Sequence, residues 1–145
     1  MRIEHCIREN RKLGETQSII KLIRKLESIF VGKCNIFILD LYGIAKGRIE
    51  IRDSTWTMLD FEDFVSNQNE ANSWTVEELI CIIDQLNDVQ ELKIRFLGIY
   101  ENTEYLIDSN QVQIDFELND STMLAIETEN VELLYLMKDW LHKST

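Results

Sequence analysis

The chain has 145 residues, of which 45% are hydrophobic, so its size and composition fit one domain with its own core and argue against a disordered chain. We therefore expect a single domain over residues 1–145. The formal net charge of −11 disfavours binding to nucleic acid or to an anionic membrane surface, because both require a basic surface.

The charge is distributed unevenly along the chain. Residues 1–50 contain ten Lys or Arg and six Asp or Glu, whereas residues 51–145 contain five and twenty. The acidic part is typical either of a solvated surface or of a surface that attracts a basic partner. The basic start of the chain could also pair with it internally.

The cysteine content and the hydropathy pattern predict a cytoplasmic location. The three cysteines, Cys6, Cys34 and Cys81, are too far apart to suggest a disulfide framework or a zinc site. Free thiols of this kind suit a reducing compartment. The charged N-terminus does not resemble a secretion signal, and no apolar run of about 18 residues exists that could span a membrane.

The first half of the chain predicts a helix, a hairpin and a short helix. Residues 1–14 fit either a strand or a helix, and over 15–30 the apolar residues recur at the helical period. Two apolar runs, at 34–43 and 48–53, flank a glycine-bracketed turn and predict a β-hairpin. A short helix follows at 60–65.

The second half predicts a helix, a meander and a final helix. Thr75 and Glu78 have the spacing of a capping box, which begins a helix that runs to about Asn87. A last helix covers 130–142. Between them, short polar connectors join four runs that read as antiparallel strands; these are 91–99, 103–108, 111–118 and 122–128.

The predicted fold class is α+β, with an antiparallel sheet made of a hairpin plus a four-stranded meander and with helices packed on one face. The stretch "QVQIDFELND" at 111–120 alternates apolar and polar residues. One face of its strand therefore enters the core, and we expect the polar face to point away from the helices.

No pattern typical of an enzyme stands out. The two histidines, His5 and His142, lie at opposite ends of the chain, and no cysteine has a convincing base near it in the sequence. Glycine-rich phosphate loops and metal-ligand motifs are also missing from the sequence. We therefore expect a protein that is not an enzyme, with no catalytic residue, no metal and no cofactor.

Three carboxylates could share one face of the sheet. Asp115, Glu117 and Glu127 would lie together if their two strands pair through the turn between them. They could hold a divalent cation, or Lys93 and Arg95 of a neighbouring strand could pair with them. The sequence leaves both alternatives open.

Two tryptophans, Trp56 and Trp74, bracket an acidic, aromatic and loop-rich segment. Core packing is the first interpretation of these rings. The alternative is an interface in which the rings anchor a partner and nearby carboxylates attract it.

In overall type the chain resembles the bacterial immunity proteins that neutralise toxins of contact-dependent inhibition and other polymorphic toxin systems. The likeness lies in its length, acidity, cytoplasmic character, α+β layout and lack of catalytic motifs. It implies a one-to-one complex with a cognate toxin domain, often a basic nuclease, in which acids mimic the phosphates of its substrate. The toxin-binding residues would be Asp60, Glu62, Asp63, Asp115, Glu117, Glu127, Trp56 and Trp74.

Two other functions stay open at this point. The chain could be an acidic adaptor or regulatory subunit that acts through homo- or hetero-dimerisation. A metal-dependent hydrolase is a third and weaker alternative.

Overall fold

The computed structural model describes residues 2–6, 16–67, 73–100, 111–120 and 123–144. These residues form four helices and seven strands. In chain order they are β1 (Arg2–Cys6), α1 (Thr16–Glu27), β2 (Val31–Ala45), β3 (Ile49–Ile51), β4 (Ser54–Trp56), α2 (Met58–Ser66), α3 (Val76–Asp84), β5 (Leu86–Ile99), β6 (Gln111–Asn119), β7 (Met123–Glu127) and α4 (Val131–Ser144).

Within the described residues, β1, β7, β6, β5 and β2 form a five-stranded antiparallel sheet in that order, and β3 and β4 form a separate two-stranded hairpin. The predicted α+β class with an antiparallel sheet is therefore confirmed. None of the helices in the described part of the chain is long and apolar enough to cross a membrane.

The predicted hairpin between 34–43 and 48–53 is wrong. β2 instead pairs along most of its length with β5, whereas the short β3 pairs with β4. A long apolar strand gains more ladder hydrogen bonds and more buried side chains from another long strand than from its short neighbour in sequence. The predicted strand at 103–108 lies outside the described residues, and β5 pairs directly with β6.

The core lies between the helices and one face of the five-stranded sheet. Along β6, Val112, Ile114 and Phe116 are buried, whereas Gln113 and Asp115 between them are not. Buried side chains of α1, α2, α3 and α4 join the same hydrophobic cluster. The helices therefore cover one face of the sheet and leave the other open, as expected. Full burial of each large apolar side chain contributes about 1.5–3 kcal/mol.

The starts of two helices are fixed by threonine caps. The Thr75 hydroxyl accepts from the Glu78 backbone N–H, and the Glu78 carboxylate accepts from the Thr75 N–H, each at 3.1 Å. This capping box was predicted. At α2 the cap is Thr57, whose hydroxyl accepts from the Asp60 N–H at 3.2 Å, so the helix begins slightly before the predicted position.

Candidate protein-binding surfaces

Asp115, Glu117 and Glu127 lie on the open face of the sheet. Asp115 of β6 is the direct cross-strand partner of Glu127 of β7, and Glu117 lies two residues further along β6 on the same side. The structure thus brings these three predicted site residues together. Among the residues described, no group of three or more His, Cys, Asp or Glu side chains is arranged to hold a metal ion.

Asp115 is already engaged by a cation of the neighbouring strand. Arg95 donates through Nε and Nη2 to the two carboxylate oxygens of Asp115, at 2.9 and 3.2 Å. The two side chains are only 27% and 17% exposed. Because its charge is balanced at short range, Asp115 attracts a distant basic protein only weakly. The pairing alternative raised for this residue is therefore confirmed.

Beside Asp115 the open face deepens into a polar groove of about 480 Å³. The buried Thr128 hydroxyl at its wall donates to the Gln113 carbonyl at 2.8 Å and lies 3.3 Å from the Asn130 backbone N–H, from which it accepts. The buried hydroxyl is thus satisfied by the protein itself. The groove is lined by Gln111, Val112, Gln113, Asp115, Glu127, Thr128, Glu129 and Asn130.

The other predicted acids lie on the covered side of the sheet. Phe61 and Val65 of α2 enter the hydrophobic core, so this helix packs on the face opposite to Asp115. Asp60 and Asp63 are exposed on its outer side, and the partly buried Glu62 accepts from the backbone N–H of Gly43 in β2 at 3.3 Å. The structure therefore divides the predicted acids into two separate groups.

Trp56 is half-buried and belongs to an aromatic cluster. Its ring stacks on Phe64 with the ring centroids 4.5 Å apart, and it meets Phe61 edge-on at 6.2 Å. Aromatic pairs of this kind contribute about 0.5–1.5 kcal/mol beyond their burial. Much of the Trp56 ring is therefore already in contact with aromatic side chains of the same chain.

Trp74 is buried, with 2% of its surface exposed. Its backbone exchanges two hydrogen bonds with Ile36 of β2, at 3.1 and 2.7 Å. Core packing, the first interpretation of Trp74, is therefore confirmed, and the alternative of an exposed anchor in a loop is wrong. The Trp74 ring packs in the core next to Phe61 and Phe64, because burial of a large apolar side chain is more favourable than its exposure to water.

Two arginines pair with acids at the start of α3. Arg24 of α1 donates to both carboxylate oxygens of Glu77, at 2.7 and 3.3 Å. Arg52, in the turn between β3 and β4, forms a bidentate pair with Glu78. These hydrogen bonds lower the pKa of both carboxyl groups below its usual value.

Several exposed apolar side chains of β2 and α2 were not predicted from the sequence. Tyr42 and Ile44 are each 52% exposed, and Leu59 of α2 is 69% exposed. Tyr42 and Ile44 flank Gly43, the residue to which Glu62 binds. A signal was present in the sequence, since Leu59 stands one helical turn from Glu62 and Asp63 rather than among the apolar positions that face the core.

Cys34 carries a thiol that the fold makes unreactive. Burial raises its pKa, and the negative charge of Glu27 adds to the effect. The thiol is therefore protonated at neutral pH, whereas a nucleophilic cysteine needs the thiolate form.

The fold and its surfaces define an α+β protein with two separate acidic regions, one on each side of its sheet. Comparison with known proteins finds no match: no family model fits the sequence, and no curated protein or solved structure is significantly similar to it.

Proposed function

We propose that this chain is an immunity protein, which binds a cognate basic toxin domain in a one-to-one complex in the cytoplasm and blocks its activity. The proposal rests on surface charge. Three arginines, Arg24, Arg52 and Arg95, form ion pairs with acids of the same chain. Part of the positive charge is thus neutralised within the chain.

Exposed acids are left over after this pairing. Asp40, Asp60, Asp63 and Glu127 are exposed, and none of them forms an ion pair within the described residues. An uncompensated negative surface of this kind raises the association rate of a basic partner toward 10⁸–10⁹ M⁻¹s⁻¹ at low salt, on the order of a hundredfold or more above a neutral pair. This excess of unpaired acids is the observation that carries the proposal.

Co-expression tests the proposed function directly. The protein encoded in the adjacent reading frame is expressed alone and together with this chain, and growth and complex formation are measured. We expect the neighbour to be basic and growth-inhibiting, and we expect this chain to restore growth and to co-purify in equal amounts. A harmless neighbour, or a toxic one that this chain neither binds nor neutralises, contradicts the proposal.

The adaptor alternative is favoured by one observation, the exposed apolar side chains on the sheet. Val31 and Ile99 are cross-strand partners on β2 and β5 and are 47% and 40% exposed. A second copy could cover them. Sizing of the purified chain separates the alternatives, because an immunity protein of the proposed kind is monomeric until its toxin binds, whereas the adaptor forms a stable dimer alone.

A further inference from the structure

The polar groove on the open face of the sheet adjoins apolar side chains of β5. Gln113 of β6 lines the groove, and its direct cross-strand partner is Leu97. Gln111 also lines the groove, and its partner is Ile99. Cross-strand partners lie on the same face, with their Cβ atoms about 4.5–5.5 Å apart. The groove and these two apolar side chains are therefore neighbours on one surface.

A third apolar residue of this face comes from β2. Phe37 is the cross-strand partner of Arg95, so it lies on the open face, diagonally beside Leu97. Ile99 is 40% exposed, and Phe37 and Leu97 are half-buried. Within the described residues the hydrophobic core includes none of the three. We call Phe37, Leu97 and Ile99 the open-face strip, and it is available to a partner because the core does not use it.

The groove carries negative charge that the described residues do not balance. Asp115 is paired with Arg95. Glu127 and Glu129, which also line the groove, are exposed and form no ion pair within the described residues. Among the described residues of the lining, none is Lys or Arg. The groove therefore attracts a cation of another molecule and disfavours a second copy of the same face, because like charges across an interface weaken binding.

We propose that the groove and the open-face strip together form the docking surface for the basic toxin domain. A lysine or arginine side chain of the toxin enters the groove and meets Glu127 and Glu129, and an apolar side chain beside it packs on the strip. Tight interfaces combine an apolar contact, from which water is excluded, with charged contacts that orient the partner. The proposal rests on the proposed function, since it requires a basic partner, and deepens it by naming the surface that receives this partner.

NMR titration of the intact chain tests this surface. The probe is a short peptide in which arginine alternates with leucine. One control peptide replaces arginine with glutamine, and the other replaces leucine with serine. We expect the first peptide to shift the backbone amides of Leu97, Gln113 and Glu127, and we expect both control peptides to bind more weakly. Added salt should weaken binding of the arginine–leucine peptide, because it screens the charges of the groove.

Matched charge variants test the groove. The double variant Glu127→Gln with Glu129→Gln should weaken binding of the arginine–leucine peptide about threefold to tenfold. The control is Asp60→Asn with Asp63→Asn, which removes the same charge from the exposed side of α2 and should leave the affinity unchanged. All four carboxylates are exposed, so both double variants should fold. An equal loss of affinity in both would show that only the net charge matters and would contradict the proposal.

Matched apolar variants test the open-face strip. Ile99→Thr should weaken binding of the same peptide about threefold, and threonine keeps the β-branched shape that suits a strand. Ile44→Thr is the control, because Ile44 is 52% exposed at the other end of β2 and its replacement should not change the affinity. An unchanged affinity of Ile99→Thr would remove the strip from the docking surface.

Three results of the titration would overturn the proposal. The first is a shift of the α2 amides instead of those of the open face, and the second is no shift at all. The third is a shift of the open-face amides with protein concentration in the absence of peptide, which would make a second copy of the chain the occupant.

Hydrogen exchange of the co-purified complex separates this proposal from the proposed function. A neutralised toxin that protects the amides of α2 rather than those of β5 and β6 would leave the immunity function intact and refute the docking surface. A neighbour that is not a toxin would refute the immunity function, whereas the peptide titration would still decide whether the open face binds a basic segment.

Discussion

The guanidinium group of Arg52 lies over the ring of Trp74, with its central carbon 4.0 Å from the ring centroid. The same group pairs with Glu78 and donates to the Ser73 carbonyl at 2.9 Å. Arg52 also has a positive φ of 50°, a conformation that costs a non-glycine residue roughly 1 kcal/mol. The contacts of one side chain thus hold a strained turn against the start of α3.

Replacement of Arg52 should destabilise the protein. We expect Arg52→Ala to lower the free energy of unfolding by about 1–3 kcal/mol, because it removes a cation–π contact and several charge-assisted hydrogen bonds at once. Urea unfolding followed by circular dichroism measures this. Asp53→Asn is the matched control, since asparagine tolerates the φ of 59° at that position. Equal stability of Arg52→Ala and the wild type would show that the turn holds without the arginine.

Stability should fall at low pH through the Glu78 carboxylate. Hydrogen bonds from Arg52 lower its folded-state pKa below the ordinary value of 4.5. A depressed pKa stabilises the folded protein above that ordinary value, and this contribution is lost as the pH falls through the folded-state pKa. We expect the unfolding free energy of Glu78→Gln to decrease less between neutral and acidic pH than that of the wild type.

The control for the pH experiment is Glu77→Gln. Glu77 also pairs with an arginine, but its side chain is 73% exposed, so solvent screens the interaction. Its removal should flatten the pH profile less than Glu78→Gln does. Profiles in the reverse order would show that the contact between Arg24 and Glu77 is the stronger one.

Two glycines should respond oppositely to alanine. A Cβ atom on Gly43 would lie 2.6 Å from the backbone oxygen of Asp88, whereas one on Gly47 would meet nothing within 4 Å. We expect Gly43→Ala to destabilise by about 1–3 kcal/mol, because β2 and β5 must separate to admit the methyl group. Gly47→Ala should be neutral or stabilising by up to about 1 kcal/mol, since it restricts the unfolded chain. Thermal denaturation of both variants checks this.

A double-mutant cycle should show a modest coupling between Arg95 and Asp115. We expect a coupling energy of about 1 kcal/mol, since the pair is bidentate and only partly exposed. The variants are Arg95→Ala, Asp115→Ala and both together, compared by urea unfolding. The cycle removes the effect of the other contacts that Arg95 makes. A coupling near zero would leave Asp115 available to attract a partner after all.

Once the partner has been identified, charge reversal should show which of the two acidic regions attracts it. If the partner docks on the exposed side of α2, Asp63→Lys should lower the association rate constant about threefold to tenfold at low salt, with little change in dissociation. Glu127→Lys on the open face should then have the smaller effect. Stopped-flow fluorescence at several salt concentrations measures the association rate constants of both variants. A larger effect of Glu127→Lys would place the docking surface on the open face.

The fold class could be predicted from the sequence because the patterns that determine it are local. The alternation in β6 and the capping box of α3 each depend on residues a few positions apart, and both appear in the structure. The partner of β2 could not be predicted in the same way. Two strands compete to pair with β2: β3, which is near in sequence, and β5, which is far. Only the packing of the whole sheet determines which of them pairs.

The candidate surface was harder to predict than the fold. The three acids of the open face were placed together correctly from their strand positions. For Trp74, in contrast, the sequence leaves core packing and an exposed anchor both open, because the neighbours of Trp74 in space come from β2 and α2 rather than from its own loop. Exposure depends on contacts between distant segments, so a single residue's type does not reveal it.

The two backbone hydrogen bonds between Trp74 and Ile36 have a consequence for how the protein behaves at high concentration. Within the residues that the structure describes, β2 is the edge strand at its side of the sheet. An uncovered edge strand can recruit strands from other molecules into fibrils. The backbone N–H and C=O of Ile36 both bond to Trp74. Another strand therefore cannot pair with β2 at this point in the middle of its apolar run. The pairing of Trp74 with β2 thus protects the protein against aggregation through this edge.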